Sequence, residues 1–155
     1  DIIFISYDEP LRERYWQKLI EQTPFAKRVD GVLGFDAAHK EAARIAETDR
    51  FITVDGDTTV DDGFFDKTLR YDAEKYENHV FSWAGTNDVN GLVYGNGSLK
   101  CWPRQSTLEM ATHEVADDFR PCGRETSISC LVGPLWALIA RMVYGPCMVP
   151  ALVLI

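Results

Sequence analysis

An α/β fold with a mostly parallel sheet is the architecture this sequence predicts. Short apolar runs alternate with amphipathic helical stretches through the first 55 residues, the third run ends in two carboxylates, and the composition is that of a globular domain. Ile2-Ile3-Phe4-Ile5 reads as a strand buried on both faces and closes on Ser6-Tyr7-Asp8-Glu9-Pro10. Asp8 as N-cap and Pro10 in the first turn then predict a helix carrying Leu11, Tyr15, Trp16, Leu19 and Ile20 on one face. Thr23-Pro24 stops it. Ala26 to Val29 is a second strand, Gly31 to Gly34 a turn, and Asp36 to Thr48 a second helix with Ala38, Ala42, Ile45 and Ala46 facing the sheet. Phe51-Ile52-Thr53-Val54 is the third strand. This β-α-β-α-β order implies parallel strands joined by right-handed crossovers.

The rhythm then changes. Asp61-Asp62-Gly63 is a polar turn, and Phe64 to Asn78 has no clean period. His79 to Trp83 reads as a strand. Leu92-Val93-Tyr94, bracketed by Asn90-Gly91 and Gly95-Asn96-Gly97, reads as a strand or hairpin. Leu99 to Trp102 is a further strand and Pro103 to Val115 a helix.

The chain has 155 residues, the size of one domain, and 46% hydrophobic with 26% charged residues excludes a disordered chain. With 24 acidic against 16 basic residues the net charge is -8, so non-specific nucleic-acid binding through phosphate neutralisation is not expected, a local basic strip aside. The charge is uneven: residues 126–155 carry one charged side chain, Arg141. That apolar segment is broken by Gly133, Pro134, Gly145, Pro146 and Pro150, so it is expected to be buried core or an atypical terminus rather than a membrane span. Cys101, Cys122, Cys130 and Cys147 form no CxxC and are expected as reduced thiols in a cytoplasmic protein. Opening at Asp1 directly on a strand suits a fragment.

The chemistry centres on Asp55-Gly56-Asp57. Residues two apart on an extended chain point the same way, so both carboxylates are expected to converge on one ion at the carboxyl end of a parallel strand. Two carboxylates without His or Cys partners suit Mn²⁺ or Mg²⁺ shared with substrate phosphates. A calcium loop starting at Asp55 is excluded, because Val60 and Asp66 stand where it needs Gly and Glu. Tyr7 and Asp8 would share the crevice, Tyr7 stacking on a base and Asp8 accepting from it, unless Asp8 only caps the helix. Lys40, beside His39 at the start of the second helix, is placed for a phosphate, although a lone helical Lys is usually a solvated charge. Lys100 and Arg104 follow a glycine-rich stretch suited to close ligand approach. Asp117 and Asp118, or Glu114, are candidates for a base.

Taken together, "FISYDEP" (4–10), "AHKEAARIAET" (38–48) before "VDGD" (54–57), and "NGLVYGNGSLKCWPR" (90–104) resemble nucleotide-diphospho-sugar transferases of the GT-A type. The likeness is greatest to small glycosyltransferase-like proteins of bacteriophages and related environmental sequences. The resemblance spans residues 2–104. It implies a GT-A-like (Rossmann-like) three-layer sandwich, with residues 1–125 as the nucleotide-sugar-binding domain and 126–155 as an apolar C-terminal segment. It further implies that Asp55 and Asp57 hold the metal, that Asp55 also meets the donor, and that Tyr7, Asp8, His39 and Lys40 lie near the nucleotide. The acceptor would be a glycan, a protein or a modified DNA base, with Asp117 or Asp118 as base. The Glu-Asp pair usual for that base in family-2-like enzymes is missing. Two rivals stand beside this reading. A haloacid-dehalogenase-like phosphatase would use Asp55 as nucleophile and Asp57 as acid/base, with Ser82, Lys100 and Asp117-Asp118 as later motifs. A non-catalytic nucleotide-sugar-binding module would keep the crevice without turnover.

Overall fold

The computed structural model of the chain describes residues 1–94 and 98–112. Asp117, Asp118, Glu114, the segment 126–155 and three of the four cysteines therefore lie outside the described residues. The elements are β1 (Ile2–Ser6), α1 (Arg12–Gln22), β2 (Lys27–Asp30), α2 (Phe35–Ile45), β3 (Arg50–Asp55), α3 (Ala73–Tyr76), β4 (Phe81–Ser82), β5 (Gly85–Thr86), β6 (Val93–Tyr94), β7 (Leu99–Pro103) and α4 (Arg104–Glu109). Five strands form one sheet in the order β2-β1-β3-β7-β4, and β5 pairs with β6 in a separate hairpin.

The expected β-α-β-α-β unit is present, with β1 parallel to both β2 and β3. Beyond β3 the sheet is mixed. β7 runs antiparallel to β3 and to β4, so four of the five strands share a direction while two of the four pairings are antiparallel. β1 is an inner strand covered on both faces, which is why its sequence is continuously apolar rather than alternating. Ile3 joins a core with Val29, Ala42, Ala43, Phe51, Trp102 and Met110 under α2 and α4. Ile2 and Phe4 join the opposite core with Leu19, Val54 and Leu99 under α1. Helices thus cover both faces. Small residues on α2 bring its backbone close to the strands, as the alanine spacing predicts.

Side-chain clamps tie the layers together. Arg28 donates to Glu13, Asp30 and Ser6 and lies 5.7 Å from the ring centroids of both Phe4 and Trp16, fastening α1 across β1 and β2. Trp102 Nε1 donates to Thr53 Oγ1 at 2.8 Å, so the polar atoms of two fully buried side chains satisfy each other.

Tertiary partners also decide where the helices stop. α1 starts at Arg12 with Leu11 as N-cap and no side-chain cap. Asp8 therefore does not cap it: Glu9 folds back to accept from Tyr7 N, and Arg12 N bonds Glu9 O. α2 ends at Ile45, three residues before the expected Thr48, because Lys27 takes the Ile45 carbonyl and Arg104 Nε takes those of Ala43 and Ala46. Arg104 is thus a helix clamp rather than a ligand residue. α4 ends at Glu109 instead of Val115. The Asp36 carboxylate accepts from Thr112 N at 2.8 Å and draws the chain onto α2.

Candidate functional site

β1 leads through α1 to β2 on one side of it, and β2 leads through α2 to β3 on the other. The β1–β3 junction is thus a topological switch point, whose carboxyl edge is where open α/β sheets bind ligands. Two loops leave that edge side by side, Tyr7–Glu9 after β1 and Gly56–Thr58 after β3, with Ile5 opposite Asp55 in register.

The loops touch through Gly56. A Cβ there would lie 2.7 Å from Glu9 Oε2 and 2.9 Å from Ser6 Cβ. Glu9 can swing away, but Ser6 Cβ is fixed in an inner strand. Gly56→Ala is therefore expected to lower stability by about 1–3 kcal/mol through overpacking. The urea midpoint measures it, and an unchanged midpoint would mean the two loops are not packed this closely.

The spacing of Asp55 and Asp57 predicts an extended chain through both carboxylates; instead the strand ends at the first of them. Asp55 is the last residue of β3, and a tight turn follows in which Thr58 N bonds Asp55 O at 2.9 Å. Asp57 sits inside that turn, exposed, with its Oδ1 accepting from Thr58 Oγ1 at 3.3 Å. Strand alternation puts Asp55 on the α2 face with Phe51 and Thr53. Lys100 lies opposite Thr53 on that face, and Ser82 lies opposite Lys100. Burial pushes the Asp55 carboxyl up to about 6; Lys100 pulls it down, while Asp57 and Glu9 add to the rise. Burial lowers the Lys100 ammonium and Asp55 partly offsets this. The cation beside the first carboxylate is thus Lys100 of β7; Lys40 is half-buried in α2.

His39 is a core histidine. It is 5% exposed, its Nδ1 lies 2.9 Å from Phe35 O, and its ring sits 4.0 Å from that of Phe35 and 4.8 Å from that of Trp102. Buried against two aromatic rings, it is not placed to meet a nucleotide. Tyr7 is 43% exposed and Asp8 is exposed, so both are accessible at the carboxyl edge of β1. Leu33 and Phe35, which follow β2, are also exposed.

On its outer side Asp57 borders a cleft of about 420 Å³ between the 57–61 loop, Tyr15 of α1 and the β5–β6 hairpin. Sequence reasoning missed this cleft, because its walls come from four separate stretches joined only by folding. Among the described residues no group of three or more His, Cys, Asp and Glu side chains forms a metal site. Nor is any helix among them long and apolar enough to cross a membrane. No protein-family model matches the chain, and no curated protein matches it.

Proposed function

We propose that the chain is a GT-A-like three-layer α/β domain that binds a nucleotide-diphospho-sugar and transfers its sugar to an acceptor with the help of Mn²⁺ or Mg²⁺. The observation that carries this reading is the position of Asp55-Gly56-Asp57 at the switch-point edge, in contact with the Tyr7–Glu9 loop. Asp55 and Asp57 offer hard oxygen donors, with the charge of Asp57 felt at Asp55, and such a pair suits a divalent ion that takes its remaining ligands from a diphosphate and water. The ion, when bound, neutralises charge on the leaving nucleoside diphosphate. Tyr7 offers an aromatic face for the base, and Asp8 a carboxylate that accepts from base or ribose. Lys100 counters the negative charge gathered at Asp55. The acceptor proton would go to a carboxylate, with Asp117 and Asp118 remaining the sequence candidates.

Calorimetric titration with UDP and UDP-glucose, with and without Mn²⁺, tests the reading. Manganese-dependent binding, abolished in Asp55→Ala/Asp57→Ala, is expected. Absence of binding across UDP, GDP and other nucleotide donors would sink it.

One observation favours a second reading. Lys100 neighbours Asp55 and Ser82 lies across from Lys100, which groups three residues that a haloacid-dehalogenase-like phosphatase would employ. Hydrolysis of an aryl phosphate that depends on Asp55, without nucleotide binding, would replace the transferase by that enzyme.

A further inference from the structure

We infer that the cleft beside Asp57 binds an uncharged, hydroxyl-rich sugar ring; its role as the acceptor subsite rests on the transferase reading. Its volume of about 420 Å³ falls in the range of small-molecule sites, which run from roughly 300 to 1,000 Å³. A second cleft of about 360 Å³ adjoins it, sharing Tyr15 and the Thr58–Asp61 stretch, so the groove extends past a single ring.

The lining selects the ligand. Asp57, Asp61 and Asp88 border the larger cleft, and no Lys or Arg among the described residues lines it. Away from the ion at Asp57, a phosphate or carboxylate would meet Asp61 and Asp88 and no cationic side chain among the described residues, so an anionic ligand does not suit this cleft. A simple ammonium would suit the carboxylates and the oxygens of Thr58, Thr59 and Thr86, which also line the cleft, but it cannot accept from an amide N–H. Asn87 adds to this polar wall: its carboxamide oxygen accepts from Val89 N at 2.9 Å, leaving the NH₂ as the donor end. Hydroxyl groups use both kinds of partner, donating to the carboxylates and accepting from the Asn87 amide and from threonine hydroxyls other than that of Thr58, whose proton goes to Asp57. The apolar floor is Phe64 and Trp83, whose rings meet edge to face at 5.1 Å, with Tyr15 beside them. Such aromatic area suits the C–H face of a pyranose. The position fits an acceptor as well, because the cleft opens beside Asp57, where the donor's sugar would be presented.

The fluorescently labelled full chain, applied to an array of neutral, sulfated, phosphorylated and sialylated glycans, tests this. Retention on neutral glycans is expected, weakened at least tenfold by Asp88→Lys, an exposed position whose change leaves the core intact. Trp83→Ala is expected to weaken it similarly. The proposal is overturned by an absence of retention, by a preference for anionic glycans, by choline competing as well as free sugar, or by binding that Asp88→Lys leaves unchanged. The nucleotide titration is read separately: nucleotide binding without glycan retention removes this inference alone. Glycan retention without nucleotide binding leaves a saccharide-binding cleft and removes the transferase.

Discussion

In metal-free buffer the folded chain is expected to lose up to ~3 kcal/mol of stability through Asp55 as pH rises from about 4 to about 6. Asp55 is pushed from an ordinary 3.8 to about 6, chiefly by burial. Below the lower value the carboxyl is protonated in both folded and unfolded chains and has no effect on the balance. Between the two values the folded chain holds a proton that the unfolded chain has released, so each increment of pH favours unfolding. Above about 6 both are ionised and the loss is complete. Glu13, Asp30 and Glu47 act in the opposite sense. Hydrogen bonds from Arg28, Ser6 and Lys27 lower them, so their stabilisation is present above the ordinary carboxylate range and fades as pH falls through it. The windows separate, which makes Asp55 readable. Urea midpoints from pH 4.5 to 6.5 should show wild type losing ground relative to Asp55→Asn, and parallel curves would refute the assignment. Replacing Lys100 with Gln should move the Asp55 transition higher still, since its neighbouring positive charge is then gone.

Arg50→Ala should destabilise the fold by about 3 kcal/mol, mostly by releasing the segment between β3 and β4. Arg50 begins β3, and its guanidinium donates to the carbonyls of Tyr76, Glu77 and His79 at 2.7–2.9 Å. It also lies 5.0 Å from the Tyr71 ring centroid and 4.8 Å from that of Phe81. One side chain thereby holds the end of the four-residue helix α3, which is too short to persist alone. Arg50→Lys should recover little, because an ammonium cannot fork across three carbonyls while lying flat on two rings. Arg44→Ala provides the comparison, since Arg44 makes an exposed pair with Glu41 that contributes roughly 0–1 kcal/mol. Equal urea midpoints for Arg50→Ala and Arg44→Ala would show that Arg50 is not a clamp.

The groups that sequence reasoning placed best are those whose neighbours are close in the chain. Tyr7, Asp8, Asp55 and Asp57 are expected at one edge of the sheet because two apolar strands run directly into them, and the β1–β3 pairing sets the loops that follow those strands side by side. His39 shows the limit: at the start of a helix it looks accessible, and only the packing of Phe35 and Trp102 against it reveals a core residue. Asp8 fails as a cap because the helix begins four residues further on, at Arg12, with Leu11 in the N-cap position.

The sequence by itself determined the β-α-β-α-β half, the parallel pairing within it and the edge that carries the carboxylates. Those follow from hydrophobic periodicity and turn chemistry, which act over a few residues. Tertiary structure alone decided that β7 enters antiparallel between β3 and β4, carrying Lys100 to Asp55. It also decided the helix ends, drawn in by Lys27, Arg104 and Asp36 from distant positions, and the cleft beside Asp57. Each of these depends on contacts between residues tens of positions apart, whose geometry exists only after the chain has closed those loops and buried its core.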